Sequence, residues 1–300
     1  MSTSVSNTAA APLTMQQKRI RAILAGIPVR LTVLILVVIW TVPTLGLLVS
    51  SFRPAAAIRN TGWWTALFAP FTADWTLANY IQVIGADRMG LAFSNSLLIT
   101  IPATVIPITI AAFAAFALAW MEFPGRKFAF VIVVGLMVVP LQMSLIPVLR
   151  VYTDLRLNGT YLGMWLAHTG FGLPLATYLL YGYISSIPKE ILESAHADGA
   201  SPMLTFTRLI MPLSVPAVAS FAIFQFLWVW NDLLVALVFL GTRSANVIVT
   251  TRLAELVGSR GQDWHVLTAG AFLTIIVPLI VFLSLQRFFV RGMMAGSVKG

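Results

Sequence analysis

The stretch 187-IPKEILESAHADGASPMLTFTRLIMPLSVPA-217 carries Lys189, Glu190, Glu193, His196, Asp198 and Arg208, in a 300-residue chain of which only 10% is charged. On either side lie runs without such density of charge, about 162 to 184 and 214 to 240. A hydrocarbon core about 30 Å thick is crossed by roughly 20 apolar residues in a helix, so each flank is long enough to span a membrane. The polar stretch is then a loop between two spans, and the rest of the chain can be read outward from it.

The composition agrees. The chain is 59% hydrophobic with a mean hydropathy of +0.90, far from the soluble average of about 25% charged residues. It reads as an integral membrane protein whose fold comes from helix packing. With no cysteine there is no disulfide, thiolate metal site or cysteine nucleophile. The net charge of +9 comes from 19 basic residues scattered between apolar runs, without the dense, aromatic-interleaved patch that nucleic acid requires. Residues 1–26 read as a cytoplasmic N-terminal segment. The first apolar run is longer than a signal-peptide core and lacks a small-residue cleavage pattern, so it reads as a retained span.

Six runs fit a span, about 31–52, 91–120, 128–149, 162–184, 214–240 and 265–290. The expected fold is all-α, a polytopic membrane protein with six transmembrane helices. Four basic residues, Lys18, Arg19, Arg21 and Arg30, precede the first span, against Arg53 and Arg59 after it; this places both termini and the 187–217 stretch in the cytoplasm. On that orientation 11 of the 19 basic residues are cytoplasmic. Trp63, Trp64, Trp75 and Trp264 fall on the outer side as interfacial anchors.

Ala111, Ala115 and Ala119 recur every four residues, the small-residue pattern that lets helices approach closely, within the chain or against a second membrane subunit. Pro102, Pro107, Pro140, Pro147 and Pro174 interrupt the spans and free backbone carbonyls that neighbours or water must satisfy. Asp232 alone lies well inside a span, with Asn231 beside it. A carboxylate there costs about 2.5 to 3.5 kcal/mol, so it faces the bundle interior, either in an interhelix hydrogen bond or lining a polar path.

Within the loop, Ser186 and Pro188 followed by Glu190 and Glu193 read as a helix start, giving a helix to about Ala197. Asp198-Gly199 supplies a turn, and Ser201-Pro202 is a fresh N-cap with proline at the first helical position, opening a second helix to about Met211. Ile191, Leu192 and Ala195 share one face of the first helix, and Met203, Phe206 and Ile210 one face of the second. The pair is too short to span. Its polar face mixes both signs of charge, which suits a protein partner better than a lipid surface.

The segment 193-ESAHADGA-200, followed after eight residues by 209-LIMP-212, resembles the loop signature of membrane subunits of bacterial ATP-binding-cassette importers, E-A-A-x-x-D-G-A and I-x-L-P. Ser194, Leu209 and Met211 depart from it mildly in size. The likeness runs over roughly residues 25–300. Tyr183 to Ile191, Phe226 to Leu234 and Gln286 to Gly300 look like the carbohydrate branch related to the maltose permease; Trp120 to Arg126, Val139 to Pro147 and Gly258 to Gly261 look most like α-glucoside permeases.

The resemblance implies a transmembrane domain over 27–300, with a cytoplasmic two-helix coupling loop at about 186–212 that docks on a separate ATPase dimer. Carried over, Glu193 pairs with a basic residue of the ATPase, Gly199 forms the turn, Ala195 and Ala200 allow close approach, and Asp198 and Pro212 complete the motif. His196 reads as solvated or partner-facing. Asn231 and Asp232 become candidates for the translocation path. Gly258, Ser259, Arg260, Gly261, Gln262 and Asp263 are candidates for contact with an extracytoplasmic sugar-binding protein, and Gly296, Ser297, Val298, Lys299 and Gly300 for a tail contact with the ATPase. The implied function is a permease subunit of an ATP-driven, binding-protein-dependent importer of α-glucosides or related oligosaccharides in a bacterial inner membrane, forming half of the translocation pathway beside a homologous second permease. ATP and Mg would belong to the partner ATPase, since this chain has no G-x-x-x-x-G-K-[ST] loop. A stand-alone secondary transporter would want several mid-membrane carboxylates or histidines, and a membrane enzyme a converging nucleophile and base or a metal set. Only Asp232 answers the first need, and no HExxH or G-x-S-x-G motif answers the second.

Overall fold

A computed structural model describes residues 15–86, 88–242, 245–257 and 263–297, and among these there are helices and turns but no strand. In chain order the helices are α1 (Met15–Ser51), α2 (Ala55–Asn60), α3 (Trp63–Phe68), α4 (Ala78–Ile84), α5 (Met89–Trp120), α6 (Arg126–Leu136), α7 (Leu141–Asp154) and α8 (Tyr161–Ile184). They continue as α9 (Lys189–Ala197), α10 (Pro202–Thr205), a wide turn at Phe206–Ile210, α11 (Met211–Trp230), α12 (Leu234–Phe239), α13 (Val249–Val257) and α14 (Trp264–Ser297). Four helices among the described residues are long and apolar enough to cross a membrane: Gly26–Ser51, Met89–Trp120, Pro202–Trp230 and Trp264–Arg287. A fifth crossing is available if α6 and α7, bent by 102°, form one broken span. Helix α8 matches the expected 162–184 run in length and carries no charged residue, but His168, its tyrosines, threonines and glycines leave it less apolar than the others.

The core forms where small residues permit close approach. Ala111, Ala112 and Ala115 of α5 are buried against Ala176, Leu180 and Ile184 of α8, with Phe116, Phe206, Ile210 and Phe221 closing the cluster. The alanine stripe is therefore consumed within the chain, α5 to α8. Helix α1 is peripheral, with Leu31 to Trp40 exposed along its length as a membrane-facing helix would be.

Prolines inside helices organise the polar contacts. A proline has no N–H for the carbonyl four residues back, so Pro102 frees Leu98, Pro107 frees Ala103 and Pro278 frees Thr274. Each freed carbonyl accepts a side-chain N–H from another helix: Trp165 Nε1 donates to Leu98 at 2.9 Å, Gln225 Nε2 to Ala103 at 3.1 Å and Trp230 Nε1 to Thr274 at 3.1 Å. In a low-dielectric interior such acceptors are costly to leave alone, so these three bonds fix α5 to α8, α5 to α11 and α11 to α14. Gly172 makes room for the second, since a Cβ there would lie 2.7 Å from the Gln225 amide. Asn95 adds a fourth tie, donating to the Ala245 and Val247 carbonyls and accepting from Tyr161 Oη.

Three expectations are corrected. The 128–149 run is two helices, because Pro140 stops α6 from continuing and stands as the N-cap of α7. The 214–240 run ends as a helix at Trp230 and resumes at Leu234, because Asp232 takes the N–H groups of Val235 and Ala236 as a cap. The second helix of the loop does not stop near Met211: α10, the wide turn and α11 form one continuous helix, Pro202–Trp230. Pro212 cannot donate to Arg208, and the turn before it absorbs the mismatch, with the Met211 N–H reaching back five residues to Phe206.

Candidate functional site

The helix break at Asn231–Leu233 borders a cavity of about 920 Å³. Two helix interruptions and one helix proline meet there: the bend between α6 and α7 supplies Met137 and Val139, Pro174 within α8 comes with Gly170 and Phe171 one turn before it, and the break itself supplies Asn231, Asp232 and Leu233. Irregular backbone at membrane depth is tolerated where it is packed in protein or lines a wet cavity. Asp232 lies on the wall with both oxygens engaged from behind. Oδ1 accepts from Val235 N at 3.1 Å and Oδ2 from Ala236 N at 2.9 Å. The Asn231 amide donates to Leu227 O at 2.8 Å, leaving its own oxygen as an acceptor.

Behind Asp232 sits His168 of α8, fully buried, with Nε2 3.7 Å from Asp232 Oδ2. That is longer than a hydrogen bond, and neither ring nitrogen has another partner among the described residues. Trp228 meets the imidazole edge-on at 5.3 Å and also lines the cavity. The sequence did not suggest this pairing. The two residues are separated by the whole loop, so no local pattern joins them; the available signal was that a histidine inside a charge-free run needs a polar neighbour.

The polar loop forms as a compact knob. Helix α9 is Lys189–Ala197, Gly199 turns at φ +78° where a side chain would be strained, and Ser201 Oγ accepts from Leu204 N as an N-cap with Pro202 next. Ser186 does not cap α9, since its hydroxyl donates to Tyr183 O and closes the end of α8 instead. The knob is anchored by Ile187, Phe206 and Ile210, all buried in the α5–α8 cluster, with Ile191 and Leu192 packed against it. Met203 falls outside that buried face, 59% exposed beside the half-exposed Leu204. Glu193 pairs with Lys189 one turn earlier at 2.7 Å, both exposed. The hydrogen bond and then the charge of Glu193 raise the Lys189 pKa. So open a pair contributes little and is readily exchanged for another cation.

Gly258, Ser259, Arg260, Gly261 and Gln262 lie outside the described residues, as do Val298, Lys299 and Gly300. Asp263 stands just before α14 and its carbonyl accepts from Leu267 N; Gly296 and Ser297 end α14. Among the described residues no group of three or more metal-ligating side chains could hold an ion.

The chain as a whole resembles known proteins. The chain is 59% identical to the osmoprotective compounds uptake permease protein GgtD of Synechocystis sp. over 91% of its length and 92% of that protein. It is 45% identical to the alpha-glucoside transport system permease protein AglG of Rhizobium meliloti, over 91% of this chain and 97% of the relative. The fold matches a chain in the crystal structure of a bacterial alginate ABC transporter in complex with an alginate pentasaccharide-bound periplasmic protein, with a TM-score of 0.63 at 15% identity, covering 92% of this chain and 97% of that one. The model of the binding-protein-dependent transport system inner membrane component family matches residues 18–295. That family is a membrane component of transporters rather than an enzyme, its ATPase being a separate chain. A helical bundle with an anchored loop knob, relatives aligned over 91% of the chain and a family match over residues 18–295 together make this chain a member of the binding-protein-dependent transport system inner membrane component family.

Proposed function

We propose that the chain is the permease subunit of an ATP-driven sugar importer that takes its substrate from an extracytoplasmic binding protein, with α-glucosides or related oligosaccharides as cargo. The observation that carries this reading is the 45% identity to an alpha-glucoside permease over nearly both whole chains, joined to the geometry of the loop knob. The chain forms half of the pathway beside a homologous second permease. Counting α6–α7 and α8 each as a crossing, it traverses a bacterial inner membrane six times, with both termini cytoplasmic. ATP and Mg are held by the ATPase dimer.

In this reading the knob couples the ATPase to the bundle. Glu193 exchanges its exposed partner Lys189 for a basic residue of the ATPase, and the open turn at Gly199 with Ala195, Asp198 and Ala200 enters the cleft. Met203 and Leu204 add the apolar contact that their exposure leaves available. Because Ile187, Phe206 and Ile210 are packed into α5 and α8, and Pro212 lies in the continuous helix to Trp230, a displacement of the knob is carried into the spans. Gly258 to Asp263 reach the binding protein and Gly296 to Gly300 approach the ATPase. Asn231 and Asp232 line the path.

The test is coupling in proteoliposomes holding the complete transporter. Glu193→Lys and Gly199→Asp should abolish ATP hydrolysis stimulated by the sugar-loaded binding protein while the subunit stays in the membrane at its usual level. Wild-type stimulation in both variants would show that the ATPase docks elsewhere.

A further inference from the structure

We propose that the cavity at the α11–α12 break is a glycosyl-binding site belonging to this subunit, with His168 as the residue that positions its carboxylate. The inference rests on the sugar-transport reading and adds to it a ligand-holding role for this chain. The first observation concerns Pro174, which cannot donate to the carbonyl of Gly170. At Pro102, Pro107 and Pro278 the freed carbonyl is taken by a Trp or Gln side chain. At Gly170 no side chain among the described residues takes it, and Gly170 lines the cavity with no atom within 4 Å of where a Cβ would stand. The carbonyls freed by Pro43, Pro147 and Pro216, those of Ile39, Met143 and Pro212, also lack such a donor among the described residues; Gly170 is exposed as they are, and differs from them in lining the cavity.

The second observation is the opposite wall. Asp232, Asn231 and Gln142 bring acceptors and an amide donor to the same space, while Trp228 and Phe171 supply rings. A sugar presents hydroxyl donors around an apolar C–H face, and this combination of converging acceptors with aromatic surface is what such a ligand requires. A full cation is the less fitting occupant, because both Asp232 oxygens already accept backbone N–H groups and the imidazole of His168 faces Oδ2. The two backbone N–H groups hold the carboxylate and the imidazole packs beside Oδ2, leaving the remaining lone pairs for the cavity. His168, fully buried and otherwise unpartnered, acts through Asp232 and does not itself line the space.

The experiment uses the reconstituted transporter with its ATPase, second permease and binding protein. Uptake of labelled trehalose, sucrose, maltose and glucosylglycerol is measured alongside ATP hydrolysis. Gly170→Leu points a side chain into open space, so folding is spared while the cavity is filled. It should cut uptake at least ten-fold while binding-protein-stimulated hydrolysis persists. Asp232→Asn should change the preference among the four sugars by roughly ten-fold, the scale of one hydrogen bond to a charged group. His168→Gln should move the preference the same way, which a merely structural histidine would not do. Gln142→Ala, at an exposed position, gives a fourth reading should Asp232→Asn fail to assemble, and should shift preference too. Unchanged preference and uptake in these variants, a proportional loss of uptake and hydrolysis in Gly170→Leu, or inhibition by quaternary ammonium ions but not by sugars would overturn the site. Absence of ATP-driven sugar uptake by the wild-type complex would overturn the transport reading, and this site with it.

Discussion

Removing the amide of Gln225 tests whether proline-freed carbonyls organise the bundle. Gln225 is 1% exposed and donates to Ala103 O at 3.1 Å, the acceptor that Pro107 leaves without a helical N–H. Gln225→Met keeps the length and nearly the volume of the side chain but removes the donor. A polar tie between membrane helices averages about 0.6 kcal/mol and reaches about 1.7; an orphaned buried acceptor costs roughly 1 to 3 kcal/mol. A loss of about 1 to 2 kcal/mol follows. The cause can be isolated, because Pro107→Ala restores a backbone N–H to the same carbonyl. In that background Gln225→Met should cost about 1 kcal/mol less. Reversible unfolding in mixed micelles of the wild type, both single variants and the double variant reads the coupling. If Gln225→Met costs the same with proline or alanine at 107, the bond to Ala103 is not what the amide is for, and the account of the three carbonyls fails.

Three further outcomes follow from the same contacts. Gly172→Ala would push a Cβ to within 2.7 Å of the Gln225 amide and should destabilise the bundle by about 1 to 3 kcal/mol in the same unfolding experiment, with less effect when Gln225 is shortened. Gly199→Ala places a Cβ at φ +78° in open space, so about 1 kcal/mol of local strain is expected, seen as faster proteolysis of the knob with little change in global stability. Asn95→Ala abandons the Ala245 and Val247 carbonyls, and hydrogen exchange in 245–257 should speed several-fold while the α5–α8 contact stays protected.

The apolar runs, the glycine turn at 199 and the Ser201-Pro202 cap were legible because each follows from local chemistry: span length, a left-handed backbone and a side-chain acceptor beside a proline. The break at 231–233 was not, since hydrophobicity continues through Leu233 to Leu240 and only the competition of the Asp232 carboxylate for N–H groups ends the helix. Pro212 misled in the other sense. It looks like a stop, yet the wide turn before it keeps the helix running into the membrane. The alanine stripe at 111, 115 and 119 announced close packing but not its partner, which is α8. The meeting of His168 with Asp232 depends on how α8 and α11 pack; a histidine inside a charge-free run signals a polar neighbour but not which one. For the site as a whole, the loop motif and Asp232 were visible in sequence, whereas the cavity, Gly170 and Trp228 needed the α6–α7 bend, α8 and the 231–233 break to be brought together.

The most direct test of the transport account is sugar uptake into proteoliposomes carrying this chain with its second permease and ATPase, scored with the binding protein outside and ATP inside, each added or withheld. The account predicts accumulation of an α-glucoside only when both are present. Uptake driven by an ion gradient, without ATP and without the binding protein, would contradict it.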